Sequence, residues 1–236
     1  MPSYTKSLIL CLLLFVFNGC NNKTLELEKK EPIKTKFVEL KTKSFESENQ
    51  YIILALESEN QKLYFDARNL YFKLFEKTDN YEYFVKYLAI STHIQDYKIV
   101  KEHALKYYKN NIKEEEIILR LYTFALFKLG NQKEALLNAQ KLANLFKSDV
   151  NYELLGTIYL QQKDYLKAYE FFEKSFVLNK SANTFLNLTN IQYFNLSQKT
   201  EAINKIEQYI KDKGHDFNLS IQLLTFYEKE QQTQKM

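Results

Sequence analysis

Between residues 48 and 229 the apolar positions recur at three- and four-residue steps, in runs of about a dozen residues parted by short polar breaks. That is the pattern of amphipathic helices laid one after another. The stretch DVNYELLGTIYLQQKDYLKAYEFFEKSFVLNKSA, residues 149 to 182, shows it most plainly. Tyr152, Leu155, Gly156 and Tyr159 carry one helical face, the polar stretch from Gln161 to Asp164 interrupts it, and Ala168 and Phe172 begin a second. The pattern predicts a helical hairpin with a tight turn, in which the small residues Gly156 and Ala168 let the two helices approach.

The same layout returns along the chain at a spacing of 33 to 35 residues. A first copy spans about Glu48 to Asn80, with Tyr51, Leu54, Ala55, Ala67, Tyr71 and Leu74 in corresponding places. The second, Tyr81 to Glu115, offers Phe84, Tyr87, Leu88, Val100, Ala104 and Tyr107, and has Val100 where a small residue is expected. The third, Glu116 to Ser148, has Leu119, Tyr122, Thr123, Leu126, Ala135, Ala139 and Leu142, with Gly130 and Asn131 in its turn. After the Asp149 copy, Asn183 to Asp216 supplies Leu186, Thr189, Asn190, Tyr193, Ala202, Ile206 and Tyr209. Here Asn190 falls at the small position, so either the hairpin opens there or a neighbour satisfies the amide. Phe217 to about Lys229 repeats a first helix only and reads as a closing cap.

Spacing and residue types together resemble the tetratricopeptide repeat (TPR), with Tyr152 where that family often has Trp. The resemblance implies an all-α fold, a right-handed α-solenoid of five hairpins and a capping helix over residues 45–230, with residues 231–236 as a tail. One hairpin cannot bury its apolar face alone, so stacking is required. A generic helical bundle is the alternative.

Upstream of the repeats the pattern changes. Lys6 is followed by an apolar run from Leu8 to Phe17 and then Asn18, Gly19 and Cys20. Ten residues rise only about 15 Å as a helix, half of a hydrocarbon core, which predicts a signal peptide over residues 1–19 and no spanning helix. Phe17 to Cys20, FNGC, resembles a bacterial lipobox, with Phe17 where Leu is usual. The resemblance implies cleavage before Cys20, a diacylglyceride on its thiol, and palmitate as part of the lipid modification; a plain signal peptide with a stray cysteine is the alternative. Cys11 would leave with the signal, so Cys20 would have no partner for an internal disulfide. Asn21 after the modified position favours the outer membrane by resemblance to enterobacterial sorting. Residues 20–44, rich in charge and carrying Pro32, read as a lipidated tether, although Phe37 to Phe45 could instead extend the first helix.

Composition narrows the class. Four Gly and two Pro in 236 residues suit helices better than a turn-rich β fold. Eighteen Tyr and eighteen Phe, without Trp, accompany abundant Lys, Asn, Ile and Leu and fit a low-GC genome. Net charge is +4 with both signs interspersed, so no basic stripe for nucleic acid is formed.

In TPR proteins the concave groove is lined by the second, fifth, ninth, twelfth and thirteenth places of each repeat. That resemblance selects Arg120, Phe124, Phe127, Lys128, Glu153, Thr157, Leu160, Gln161, Asn187, Ile191, Phe194 and Asn195. An apolar groove edged by Arg120 and Lys128 suits an amphipathic helix or an extended peptide. Alternatively Phe124, Phe127 and Phe194 pack between helices and line nothing. Chaperone-binding TPRs clamp a C-terminal carboxylate with Lys and Asn; with Phe124 following Arg120, no such clamp is expected here.

Catalytic patterns are missing. His93, His103 and His215 have no second ligand at helical metal spacing, no glycine-rich phosphate loop, GxSxG or HExxH occurs, and Glu114 to Glu116 reads as a solvated helix start. Neither a cofactor nor a metal is expected. DFNLS, residues 216 to 220, is an Asn-x-Ser sequon with an acid two places ahead, similar to the extended bacterial acceptor, and makes Asn218 a glycosylation candidate in an expected turn; chance is the alternative. Asn22, Asn187 and Asn195 begin sequons without the acid. The expected function is a non-catalytic, periplasm-facing adaptor binding an envelope protein or peptide and touching the membrane through its lipid. In length, anchor and repeat number the chain also resembles TPR lipoproteins that assist outer-membrane β-barrel or type IV pilus secretin assembly.

Overall fold

The computed structural model describes residues 45–110 and 115–231. The expected signal peptide, Cys20 and the tether through residue 44 lie outside them. Among the described residues there are eleven α-helices and no strands. They are α1 (Glu48–Asn60), α2 (Tyr64–Thr78), α3 (Tyr81–His93), α4 (Tyr97–Asn110), α5 (Glu116–Lys128), α6 (Gln132–Leu145), α7 (Asp149–Gln161), α8 (Tyr165–Asn179), α9 (Ala182–Phe194), α10 (Lys199–Lys213) and α11 (Phe217–Lys229). First helices thus start at residues 48, 81, 116, 149, 182 and 217, steps of 33 or 35. The expected repeat starts are met, except that the fifth begins one residue early.

The chain forms two compact units that divide between Ile94 and Gln95. In the first, α1 packs on α2 and α2 on α3. Ala55, Ala67, Leu74 and Leu88 are fully buried there. The Tyr83 hydroxyl donates to Glu48 at 2.9 Å and ties α3 back to α1. Lys86 pairs with Glu59 at 3.2 Å, and the same carboxylate accepts the Tyr71 hydroxyl.

In the second unit each helix from α4 to α11 packs on the next, and the first helices of neighbouring repeats also touch, α5 on α7 and α9 on α11. Small or hydroxylated residues sit at the eighth place of α5, α7 and α9: Thr123, Gly156 and Thr189. Thr123 and Thr189 are completely buried, and each hydroxyl donates to the carbonyl four residues back, Leu119 at 2.7 Å and Phe185 at 3.1 Å. A threonine can therefore occupy a dry helix crossing without an orphaned donor.

The hairpin turns explain the fifth start. Three residues join the first four helix pairs, and the middle one is left-handed: Lys62 (φ 61°), Gln95 (63°), Gly130 (77°) and Lys163 (64°). The amide after it closes a Schellman-type bond, as in Asn131 to the Leu126 carbonyl at 2.9 Å and Asp164 to Tyr159 at 3.0 Å. In the fifth hairpin four residues, Asn195 to Gln198, fill this turn, with Ser197 at φ 58°. The additional residue pushes Ala202, fully buried on α10, one place further along its repeat. Counting back from Ala202 therefore lands on Asn190, whereas Thr189 occupies the small position. The expected fifth register is corrected by one residue.

Candidate peptide groove

The second, fifth, ninth, twelfth and thirteenth places of α5, α7 and α9 fall on one face of the second unit. Their levels are set by a recurring link. Arg120, fifth on α5, donates from Nη1 to Asn151 Oδ1 at 3.3 Å, third on α7. Glu153, fifth on α7, accepts the Thr184 hydroxyl, third on α9. Both links span 31 residues, so the three helices are held in the same stagger.

On α5, Arg120 is neutralised. Its Nη1 lies 3.1 Å from Glu116 Oε1, and Glu116 also accepts from Asn151 Nδ2 at 2.8 Å and from the Ser148 hydroxyl at 3.0 Å. Phe124 is partly exposed and meets Tyr97 edge-on, centroids 5.9 Å apart. Lys128 places Nζ 5.2 Å from the Phe124 ring centre, and partial burial pushes its ammonium below the usual lysine range. Phe127 is buried at 9 % exposure. It is therefore a packing residue and not part of the accessible face.

On α7, Thr157 and Leu160 are partly exposed and Gln161 is exposed. The Glu153 carboxyl is partly buried. Burial raises its pKa above the usual glutamate value, the Thr184 and Ser175 hydroxyls oppose that rise, and the Asp149 charge adds to it. Asn179 completes the cluster, its Nδ2 lying 3.1 Å from Thr184 Oγ1 and 3.3 Å from Ser175 Oγ.

On α9 the corrected register changes the lining. Ile191 is only 2 % exposed and belongs to the core. Asn187 moves to the sixth place, and Asn195 lies in the turn beyond the helix, its amide bonded to the Ile191 carbonyl. The residues that take their places are Asn183, Leu186 and Asn190, with Tyr193 buried at the twelfth place and Phe194 at the thirteenth. Asn190 Oδ1 is buried and meets no hydrogen-bond partner among the described residues. Phe194 is 52 % exposed, held edge-on against Tyr193 and Phe226 at 4.8 and 5.6 Å. Sequence reading missed Asn183, Leu186 and Asn190; a strict 33-residue step from Thr123 through Gly156 to Thr189 would have found them.

Asn218 is exposed, as its candidacy requires, but it lies in the first turn of α11 and not in a free turn. Asp216 caps this helix, its Oδ1 accepting the amides of Asn218 at 3.0 Å and Leu219 at 3.1 Å, and Leu219 is fully buried. The acid two places before Asn218 thus has a structural role of its own, and a modifying enzyme would meet helical backbone. His93 packs edge-on to Tyr64 at 4.4 Å. Among the described residues no three His, Cys, Asp or Glu side chains gather to hold a metal.

No protein-family model matches the chain and no curated relative matches it. Solved structures do share its fold. A tetratricopeptide repeat protein from Parabacteroides merdae aligns with TM-score 0.62 and 16 % identity over 78 % of this chain and 73 % of its own. PilF from Pseudomonas aeruginosa aligns with TM-score 0.60 and 20 % identity over 79 % of this chain and 86 % of its own. YrrB, described as a TPR protein with an unusual peptide-binding site, gives 0.54 and 17 % over 74 % and 90 %. At these identities the likeness establishes the architecture: an all-α solenoid of TPR hairpins.

Proposed function

On this TPR architecture, we propose that the protein is a non-catalytic scaffold that takes a segment of another envelope protein on the face formed by α5, α7 and α9. The observation that carries this reading is the row of partly or fully exposed apolar side chains Phe124, Leu160 and Phe194 on three helices held in the same stagger. Apolar anchors in such a row supply binding energy to a helix or an extended peptide. YrrB, whose description names a peptide-binding site, shares the fold.

The proposal includes the address. Residues 1–19 act as a signal peptide, Cys20 carries the lipid, and residues 20–44 tether the repeats on the periplasmic side, with Asn21 favouring the outer membrane. The narrower reading, an accessory lipoprotein of β-barrel or secretin assembly, rests on the layout of anchor, tether and five repeats.

The test is affinity purification of the full-length protein from cross-linked native envelopes, beside a Phe124→Ala, Leu160→Ala, Phe194→Ala variant and a Cys20→Ala variant. Partners lost from the first variant while it melts cooperatively support the face, and a barrel-assembly component or a secretin among them supports the narrower reading. Retention of every partner sinks the face. Membrane association unchanged in Cys20→Ala sinks the anchor.

A further inference from the structure

The binding face carries two opposite charges that do not compensate each other. Among the described residues Lys128 meets no carboxylate, and its contact is the Phe124 ring at 5.2 Å. Among the same residues Glu153 meets hydroxyls, those of Thr184 and Ser175, and no cation. Several neighbouring charges are paired, Arg120 with Glu116, Lys167 with Asp164 at 3.0 Å and Lys174 with Glu170 at 2.6 Å, whereas Lys229, 5.9 Å from the Phe194 ring centre, has an aromatic contact like that of Lys128. Partly burying an ammonium and a carboxylate separately loses hydration at both without returning the attraction between them. Both stand on the face the proposed function assigns to a peptide.

We propose that the face is charge-coded: its occupant is a peptide segment that sets an acidic side chain against Lys128 and a basic side chain against Glu153. This rests on the peptide-face reading and adds its chemistry. With about 1.5 Å of rise per residue over eight places and about 10 Å between neighbouring first helices, the two groups stand roughly 16 Å apart. An extended chain spans that distance in about five residues. A purely apolar occupant would bury both charges without relief, so the same two residues select against it.

The probe is a phage-displayed library of random dodecapeptides, panned against the full-length protein in detergent. Selected peptides are expected to carry Asp or Glu and Lys or Arg at a constant separation of about five residues. Lys128→Glu is expected to weaken a selected peptide about tenfold or more and, when panned itself, to lose the acid while keeping the base. Glu153→Gln, which retains the acceptor for Thr184, is expected to lose the base and keep the acid; this arm decides if Lys128→Glu does not melt cooperatively. Selected peptides without charge preference, or with one that neither substitution moves, overturn the charge code. If those peptides still lose binding to the Phe124→Ala, Phe194→Ala variant, the peptide face stands without the code. No selection at all, or selection indifferent to Phe124 and Phe194, overturns both.

Discussion

A methyl group added to Gly156 on α7 would stand 3.0 Å from Cδ2 of Phe172 on α8, 3.2 Å from its Cε2 and 3.3 Å from the Ala168 carbonyl oxygen. The ring, itself buried, fills the space a side chain would need. Gly156→Ala therefore forces the hairpin of the fourth repeat apart and should cost about 1 to 3 kcal/mol in urea unfolding. Phe172→Leu in the same chain should recover part of that loss, because the clash is with the ring. An additive double variant would mean that the carbonyl, not the ring, sets the limit.

Gly130 tests a different cost. A Cβ there meets nothing within 4 Å, yet φ is +77°. Gly130→Ala should cost about 1 kcal/mol through the backbone alone, and no second-site change in packing should restore it. Unchanged stability would show that this turn relaxes out of the left-handed region.

These glycines also show what the sequence made legible. The step of 33 to 35 residues set by Gly156, Ala168 and their counterparts was enough to locate the helix pairs, because a stack of hairpins demands the same small residues at the same depth. Turn chemistry was less visible: Lys62, Gln95, Lys163 and Ser197 adopt left-handed angles without being glycine, and the four-residue turn at Asn195 to Gln198 has no composition of its own. That one hidden residue displaced the fifth set of face residues and exchanged Asn190 for Ile191. Pairing between repeats was not legible at all, since Arg120 to Asn151 and Thr184 to Glu153 join residues whose meeting depends on the stagger of whole helices.

The cap on α11 yields a third expectation. Asp216 satisfies two amides that the helix itself leaves open, so Asp216→Ala should lower stability by about 1 kcal/mol. Asp216→Asn, which keeps the accepting oxygen, should restore most of it. Hydrogen exchange at the Asn218 and Leu219 amides checks the cause; equal protection in the alanine variant would argue that the cap contributes nothing.

At the alkaline end, tyrosines that donate to carboxylates govern stability. Tyr193 donates to Glu230 at 2.6 Å and Tyr227 to Glu207 at 2.5 Å; burial first, then these bonds and the carboxylate charges, push both phenols up to about 12. Each folded pKa lies above the ordinary 10.0, so their contribution is complete below pH 10 and is lost as pH rises through about 12. Melting temperature should fall across that window, with phenolate absorbance rising at the same pH. Tyr193→Phe and Tyr227→Phe together should flatten the fall; an unchanged slope would assign it to other groups.

Glu153 behaves in the opposite part of the pH scale. Its pKa is raised from 4.5 chiefly by burial, so the folded chain holds the proton more tightly than the unfolded one. Below pH 4.5 the group costs nothing; as pH rises through the raised folded value a partly buried charge appears that the unfolded chain would hydrate, and the penalty is complete above it. Glu153→Gln removes the charge and leaves an oxygen to accept from Thr184. It should therefore melt at a higher temperature than the parent at pH 7, with the two curves converging near pH 4. Binding would move the other way, because the carboxylate retained at a cost to the fold is the group a basic side chain recognises. A glutamine variant less stable than the parent at pH 7 would mean that the hydroxyls of Thr184 and Ser175 repay the buried charge in full, leaving no unrelieved charge for a partner to satisfy.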